Sequence, residues 1–312
     1  MNESQKDKDL RIPLKTRKMH CGLKDGRSPS QASRGFTLKI PKALVYDSQR
    51  PRLAIWEDAV ELVRYRDLLW SLVQRDLTVR YKRSVLGFLW TMLNPLLTML
   101  VMTIVFSSFF RIGIEHYAVY FLAGLLLWNF FAQSTTQAIG NLLWAGGLVN
   151  KIYIPKPIFV VSAICVSLVN LALALIPLAL IMLVSAHPFS TALFFLPIPM
   201  ALTFIFALGI GLSVTTLAVF FVDVVDIYQV GLMILMYLSP IIYPVSMVPE
   251  RYRWFIQLNP IYYFVQLFRQ PIYEGTIPDI YLVLRAALIA LIALVAGWWF
   301  FTKKADEFAY RV

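Results

Sequence analysis

The sequence predicts an all-α membrane protein with six transmembrane helices, an N-terminal amphipathic interface helix, and a re-entrant helical segment between spans five and six. Of its 312 residues, 59% are apolar and only 15% are charged, which does not fit a soluble domain. The apolar residues form runs of about twenty, the length of a helix that crosses a bilayer. Residues 1–85 hold 19 of the 29 Lys/Arg and 10 of the 18 Asp/Glu, so +9 of the net charge of +11 lies there and nucleic acid is not predicted as a partner.

The chain divides into four parts. Residues 1–55 are basic, contain several prolines and have no apolar run, so we expect a mostly disordered cytoplasmic tail. No apolar run begins before about Leu68, which argues against a cleaved signal peptide. Residues 56–85 hold the interface helix, residues 86–301 the transmembrane domain, and residues 302–312 a short cytoplasmic C-terminal tail.

An amphipathic helix is predicted between Leu62 and Lys82, where apolar residues recur three or four apart. It ends in Arg80-Tyr81-Lys82-Arg83, directly before the first apolar run. This arrangement is typical of a helix that contacts the headgroups of an anionic leaflet, so membrane lipids are an expected partner. A cytosolic helix packed on a soluble core is the alternative.

Six apolar runs are long enough to span, and one further run, Trp254–Phe268, is too short and is interrupted by Asn259-Pro260. With both termini inside the cell, ten Lys/Arg lie in or near inner loops and four in outer loops, as the positive-inside rule requires. The sequence therefore predicts a multi-pass protein of the cytoplasmic membrane with both termini cytoplasmic. The predicted spans are Leu86–Phe110, Tyr117–Gln137, Ile158–Ala186, Thr191–Val222, Tyr228–Val248 and Tyr281–Phe301.

Several kinds of chemistry are missing from the sequence. There is no G-x-x-x-x-G-K-[ST] motif, and so no P-loop for ATP. No cluster of His, Cys, Asp and Glu has metal-ligand spacing, so no metal site is predicted. The six spans contain no Asp, Glu, Lys or His and one Arg, Arg285, which argues against proton-coupled transport, although a sodium site of carbonyls and hydroxyls stays open. We expect energy to come from a partner.

The predicted spans contain aromatic and amide side chains. Aromatic faces with intermittent polar groups suit sugar rings, although Trp and Tyr also form interfacial belts in most membrane proteins. Spans one and two also carry Gln133, Thr136 and Gln137. The candidate substrate-binding residues of the aromatic and amide kind are Trp90, Asn94, Trp128, Tyr243, Tyr262 and Tyr263.

One long inner loop, Asn141–Pro157, is the predicted surface for receiving force from a partner. Gly146-Gly147 permits a sharp turn there, and the two prolines flanking Lys156 restrict the backbone. Its apolar side chains are available to fill a groove on a partner, or they cap the ends of spans two and three. The candidate coupling residues are Lys151, Ile152, Tyr153, Ile154 and Lys156.

The sequence from Arg75 to Gly87, RDLTVRYKRSVLG, followed by Leu89-Trp90 and Leu93-Asn94-Pro95, resembles the opening of ABC type-2 permeases that export polysaccharides. Leu258-Asn259-Pro260 before an aromatic run resembles that family's segment between spans five and six. The resemblance covers about residues 60–312 and includes the order and spacing of the motifs.

The resemblance implies a homodimeric permease that pairs with two copies of a separate ATP-binding subunit and moves a lipid-linked glycan, such as O-antigen, capsule or teichoic acid, out of the cytoplasm. It implies that Glu61–Arg83 and Asn141–Pro157 dock on the ATPase, and that about Pro249–Pro278 forms short re-entrant gating helices. No cofactor is expected in this chain, because ATP and Mg²⁺ would be held by the partner. Arg80, Tyr81, Lys82 and Arg83 are then expected to guide the phosphate-bearing head of the lipid carrier, with positive-inside anchoring as the alternative.

Two other classes of function remain open at this stage. A drug or small-lipid exporter could share the same architecture, because a fold does not determine its cargo. A membrane-embedded glycosyl- or acyltransferase would need an acid or a histidine at a membrane boundary. Its candidates are Glu115, His116, Asp223 and Asp226.

Overall fold

The computed structural model describes residues 60–82, 87, 89–109, 114–149 and 154–310. Within these ranges every regular element is helical and no strand occurs, which confirms the all-α prediction. The predicted N-terminal tail, residues 1–55, lies outside the described residues. The α-helices are labelled in chain order: α1 (Arg66–Tyr81), α2 (Leu89–Thr103), α3 (Tyr117–Val149), α4 (Pro157–Val184), α5 (Pro197–Phe220), α6 (Val224–Leu238), α7 (Arg253–Leu258), α8 (Pro260–Arg269) and α9 (Ile280–Lys304).

Short 3₁₀- and π-helical segments join or extend the α-helices. A π-helix over Ile104–Phe109 continues α2, and another over Gln270–Glu274 continues α8. Such segments leave the regular α-helical hydrogen-bonding pattern and recur at functional positions. The 3₁₀ segments are Thr191–Phe195, Val245–Met247, Glu250–Tyr252 and Ala305–Tyr310.

Prolines fix where several helices begin and end. Pro157, Pro197 and Pro260 occupy the first turn of α4, α5 and α8, where a missing N–H costs nothing. Asn259 caps α8, because its side-chain oxygen accepts a hydrogen bond from the backbone N–H of Ile261 at 3.0 Å. Helix α6 ends because Ser239 precedes Pro240 and takes the extended backbone favoured at that position.

Among the described residues, four helices are long and apolar enough to cross a membrane: Tyr117–Leu143, Pro157–Val184, Thr191–Phe220 and Ile280–Lys304. They correspond to predicted spans two, three, four and six. The helices at predicted spans one and five are shorter, with apolar parts Met92–Phe106 and Val224–Leu238. Span five is shorter than the predicted Tyr228–Val248 because Pro240 prevents α6 from continuing.

Helix α3 is the most buried of these four long helices and lies against α4, α5 and α8. Helix α6 is joined to it by a hydrogen bond of 2.7 Å from the hydroxyl of Tyr228 to that of Thr135. Helix α1 packs on α4 and buries Leu72 and Val73, whereas Trp70 on α1 is 61% exposed. The predicted amphipathic helix is therefore present, and its apolar side contacts the bundle.

Contacts between loops define two ends of the bundle. At one end, called the Lys156 end, Lys156 donates to the carbonyl of Ala305, and Phe308 packs between the Lys156 ammonium and Phe220. At the other end, called the His187 end, the rings of His116 and His187 lie 5.2 Å apart. The two ends hold alternate loops of the bundle, as expected for helices that cross in alternating directions.

Helix α2 does not run parallel to α4, although the first and third of six crossings would run in the same direction. Residues 89–96 and 176–183 line an apolar groove of about 540 Å³, so the first turns of α2 lie beside the last turns of α4. Two crossings in the same direction would bring their first turns together. Helix α2 packs on α3 and α4 through one side, which includes the buried Met99, and in the single chain its other side exposes Leu97, Leu100 and Val101.

Candidate functional site: the turn after α6 and the cleft beside α3

The turn after α6 is held by side chains instead of by backbone N–H groups. Four consecutive carbonyls, from Pro240 to Tyr243, each accept a hydrogen bond from a side chain of α3 or α8. A backbone carbonyl without a hydrogen bond in an apolar environment costs roughly several kcal/mol of free energy. Non-helical backbone there therefore needs hydrogen-bond donors from neighbouring parts of the protein. We call the side chains of Tyr117, Tyr120 and Arg269 acting on these carbonyls the carbonyl clamp.

The individual bonds of the carbonyl clamp are short. Arg269 Nη1 donates to the carbonyl of Pro240 at 2.9 Å and Nη2 to that of Ile241 at 3.3 Å. The Tyr117 hydroxyl donates to the carbonyl of Ile242 at 2.9 Å. The Tyr120 hydroxyl lies 3.1 Å from the carbonyl of Tyr243 and 3.4 Å from that of Pro240.

Arg269 is a buried cation, only 7% exposed. Its guanidinium lies over the ring of Tyr120, 3.8 Å from the centroid, and no carboxylate among the described residues forms an ion pair with it. Gly124 makes room for it, because a Cβ at that position would overlap Nη2. Sequence reasoning counted Arg269 as a charge of an outer loop, and the structure corrects this assignment. The signal available in the sequence was an arginine set directly after the apolar run of α8.

The segment from Ser239 to Glu274 begins and ends at the His187 end of the bundle, and α8 within it packs on α3. Asn259 donates to the hydroxyl of Ser239 at 2.8 Å, which joins the middle of the segment to its start. At its finish, Tyr273 donates to the carbonyl of Glu115 at 2.8 Å, and the ring of His187 lies 3.0 Å from the carbonyl of Tyr273. Both the start, beside Tyr117, and the finish of this segment thus contact the same end of α3.

The aromatic residues predicted to bind substrate fall into three groups. Tyr243, Tyr262 and Tyr263 belong to the Ser239–Glu274 segment, where the Tyr262 and Tyr263 rings lie 5.2 Å apart. Trp128 is only 5% exposed and packs against Phe131 inside the bundle, so it lines no open surface of this chain.

The third group lies on α2. Trp90 is 49% exposed and Asn94 is also exposed, beside the apolar groove. The structure therefore does not bring the predicted aromatic residues together into one site.

A polar cleft of about 760 Å³ lies between α1 and α3. Gln133, Gln137 and Asn141, spaced four apart, form a stripe of amides along α3 that lines it. Asn141 donates to the carboxylate of Asp76 at 3.1 Å, and Asp76 pairs with Arg75 at 2.8 Å. Sequence reasoning noted the two glutamines but missed the Asp76–Asn141 bond, which depends on how α1 docks.

The predicted basic cluster follows the cleft along the chain. Lys82 is exposed, and Arg80 and Tyr81 are the last helical residues of α1. Arg83 lies outside the described residues. Placement of the cluster near the phosphate-bearing head of a carrier remains a proposal.

The predicted coupling loop is shorter than expected, because α3 continues through Gly146 and Gly147 to Val149. Ile154 is 9% exposed and belongs to the core, so it is not available to fill a groove on a partner. Lys156 contacts Ala305 and Phe308 of the same chain instead of forming a free rim. Lys151, Ile152 and Tyr153 lie outside the described residues.

The four candidates for a transferase site are split between the two ends of the bundle. Glu115 and His116 lie at the His187 end, whereas Asp223 follows Phe220 at the Lys156 end and Asp226 begins α6. Groups on opposite ends of long helices cannot act on one reacting atom. No group of three or more His, Cys, Asp and Glu in the part of the chain that the structure describes could hold a metal ion.

The four long apolar helices are those of a multi-pass membrane protein, and the polar cleft lies between α1 and the most buried of them, α3. Residues 67–273 match the ABC-2 type transporter family, and the chain belongs to that family. It is 30% identical over 255 residues to the O-antigen export system permease protein RfbA of Myxococcus xanthus, covering 81% of this chain and 98% of that protein.

Two further relatives carry related names. The O-antigen export system permease protein RfbA of Klebsiella pneumoniae is 29% identical over 245 residues, covering 78% of this chain and 94% of the relative. The polysialic acid transport protein KpsM of Escherichia coli is 24% identical over 232 residues, covering 73% of this chain and 89% of that protein. The resemblance read from the Arg75–Gly87 and Leu258–Pro260 motifs is thereby confirmed at the level of the family.

Proposed function

We propose that this chain is the transmembrane permease subunit of an ABC exporter that moves a lipid-linked polysaccharide out of the cytoplasm. The observation that carries the proposal is the match over 98% of the Myxococcus xanthus protein, whose name states O-antigen export. The Klebsiella pneumoniae and Escherichia coli relatives are also named for O-antigen and polysialic acid. Nothing in these names favours the drug or small-lipid alternative.

The proposed topology has six crossings with both termini in the cytoplasm and the Lys156 end facing inward. Asp76 is bonded to Asn141, near the Lys156 end of α3, whereas Tyr117 lies at the His187 end of the same helix. The chain between Asp76 and Tyr117 therefore passes from one end of the bundle to the other, which supplies the first crossing. Helices α3, α4, α5, α6 and α9 supply the other five. Lys156, Lys303 and Lys304 then lie on the cytoplasmic side, as the positive-inside rule requires.

The Ser239–Glu274 segment is proposed to re-enter the outer half of the membrane without crossing it. Support comes from its two ends, which both contact the His187 end of α3 through Tyr117 and Glu115. The cost of non-helical backbone at that depth is met by the carbonyl clamp. The segment is thereby positioned over the outer part of the bundle, where an export path must open.

The energy source is proposed to be a separate ATP-binding subunit, because the sequence has no P-loop motif. We place its docking surface on α1 and on residues 150–156, as the family resemblance implies. The chain is proposed to act as a homodimer with two copies of this subunit. Mg²⁺ and ATP would be bound by the partner.

The polar cleft is proposed to be the cytoplasmic entrance for the glycan. Its amide stripe offers both donors and acceptors, and sugar hydroxyls are both donors and acceptors as well. Arg75 and the basic residues that follow it provide cations for the phosphate of a lipid carrier. Trp90, Asn94 and the three tyrosines are kept as proposed contacts farther along the path.

Affinity purification from the source cells tests the function. The tagged chain is expected to copurify with an ATP-binding subunit whose hydrolysis is stimulated by lipid-linked glycan extracted from the same cells. A chain with the single substitution Gly231→Ala on α6, where an added Cβ meets nothing within 4 Å, serves as a control for changes outside the proposed docking surface. Purification of the chain with no ATP-binding subunit, or hydrolysis indifferent to the extract, would contradict the proposal.

A further inference from the structure

The carbonyl clamp joins the two ends of the re-entrant segment to each other. The acceptors lie at its start, on Pro240 and Ile241, and the donor Arg269 lies near its finish. The same guanidinium rests on Tyr120 of α3, so three parts of the fold meet at one side chain. Arg269 therefore ties the start of the segment to its finish and to α3, in addition to the separate bond from Tyr273 to the carbonyl of Glu115.

The bonds of the clamp can be released without unwinding a helix. A carbonyl inside a helix is bonded by the N–H four residues on, and breaking that bond disrupts the helix itself. The carbonyls from Pro240 to Tyr243 are bonded by side chains, which rotate away while α3 and α8 stay intact.

The position of Arg269 is costly unless its contacts are kept. A buried cation without a paired carboxylate is expensive, and here the compensation comes from carbonyls, a ring face and the nearby Glu274. Burial raises the pKa of Glu274 above its ordinary value, and Arg269 offsets part of that rise. In this arrangement Nη1 and Nη2 of Arg269 are hydrogen-bonded, whereas its buried Nε has no hydrogen-bond partner among the described residues.

We propose that the carbonyl clamp is the latch that keeps the export path closed at rest, with Arg269 as its positioning residue. The proposal rests on the proposed function, in which the Ser239–Glu274 segment covers the outer part of the path. A path wide enough for a glycan chain would leak small solutes unless it were sealed between transport cycles. The latch supplies that seal, and its release accompanies export.

Passive dye entry tests the latch. Variants Arg269→Gln, Gly124→Ala and Tyr120→Phe are placed on the chromosome of the source organism, and spheroplasts depleted of ATP are exposed to propidium. Arg269→Gln and Gly124→Ala are expected to raise the initial rate of uptake about tenfold, the change produced by losing about 1.4 kcal/mol of closure. Tyr120→Phe removes one hydroxyl and gives a smaller rise, and Arg269→Lys restores part of the seal.

Two controls separate the latch from general damage. Arg285→Gln removes an exposed arginine of α9, and Gly231→Ala adds a Cβ that meets nothing within 4 Å, so both should take up dye at the wild-type rate. Immunoblots give the amount of permease in each membrane. If the Arg269→Gln and Gly124→Ala permeases do not accumulate in the membrane, the rate of dye uptake by the Tyr120→Phe variant decides the test. Wild-type uptake by variants present at wild-type amounts would overturn the latch.

The test is independent of the cargo. Dye uptake requires neither ATP nor glycan, so loss of the latch can be seen whatever the exporter carries. The surface polysaccharide of the wild-type strain is measured alongside. If wild-type cells export polysaccharide normally and the Arg269→Gln variant takes up dye at the wild-type rate, the latch is rejected and the proposed function stands. If the wild-type chain contributes nothing to polysaccharide export, the proposed function itself is rejected.

Discussion

Gly209 of α5 and Gly297 of α9 bring two helix backbones into direct contact, since a Cβ on Gly297 would overlap the carbonyl oxygen of Gly209. The contact is reciprocal, because a Cβ on Gly209 would overlap the backbone of Ala293. Small residues of this kind drive helix association in membranes, where apolar burial between helices gains little over contact with lipid. The pairing of α5 with α9 therefore depends on both glycines.

Substituting Gly297→Ala is expected to destabilise the bundle by about 1–3 kcal/mol, the usual cost of an added methyl group in a packed position. The reason is that the neighbouring atoms are backbone and cannot rotate away. Thermal aggregation of the detergent-solubilised protein measures the effect. Gly231→Ala on α6, where an added Cβ meets nothing within 4 Å, is the matched control. Equal melting of the two variants would refute the close contact.

Substituting Gln137→Leu is expected to slow export about fivefold, because one hydrogen bond to a sugar hydroxyl has a net worth of about 1 kcal/mol. Gln133→Leu should act in the same direction, since both side chains line the polar cleft. Surface polysaccharide, labelled in a short pulse, gives the rate. The exposed amide of Gln229 on α6, which does not line the cleft, provides the control, Gln229→Leu. Unchanged export in the double variant would remove the cleft from the path.

Substituting Tyr153→Ala is expected to weaken copurification of the ATP-binding subunit while leaving the amount of permease unchanged. The neighbouring Ile154→Ala is the comparison, because Ile154 is buried in the core and its loss should lower stability by about 2–5 kcal/mol. The two variants thus separate docking from packing. Normal association of the ATP-binding subunit with Tyr153→Ala would argue against residues 150–156 as the coupling element.

A cysteine in place of Lys304 is expected to be protected from an impermeant maleimide added to intact cells, whereas a cysteine in place of the half-buried Ser190 should react. The two residues lie at opposite ends of the bundle, Lys304 beside Phe220 and Ser190 beside Gly275. Labelling after the membrane is opened provides the control for Lys304. Reaction of the Lys304 position in intact cells would contradict an even number of crossings.

Local features of the sequence predicted the helices well. The long apolar runs became α3, α4, α5 and α9, because length and hydropathy are enough to identify such helices. The interruption predicted at Asn259-Pro260 is the point where α7 ends and α8 begins, with Asn259 as the cap of α8. The turn predicted at Gly146-Gly147 was wrong, since glycine costs a helix only about 1 kcal/mol per residue and α3 continues through both.

Contacts between distant parts of the chain could not be predicted in this way. Arg269 meets the carbonyl of Pro240 and the ring of Tyr120 only after α3 and α8 have packed. The Asp76–Asn141 bond likewise requires α1 to dock against α3. A hydropathy pattern records which side of a helix is apolar, and it does not record which partner that side meets.

Deleting the chain from its source organism tests the central claim most directly. The measurement is the amount of polysaccharide on the cell surface and in the cytoplasm of the deletion strain and of the same strain complemented with the wild-type chain. We expect surface polysaccharide to disappear and lipid-linked polysaccharide to accumulate inside, with both effects reversed by complementation. Unchanged surface polysaccharide with no accumulation inside the deletion strain would contradict the assignment of this chain as a polysaccharide export permease.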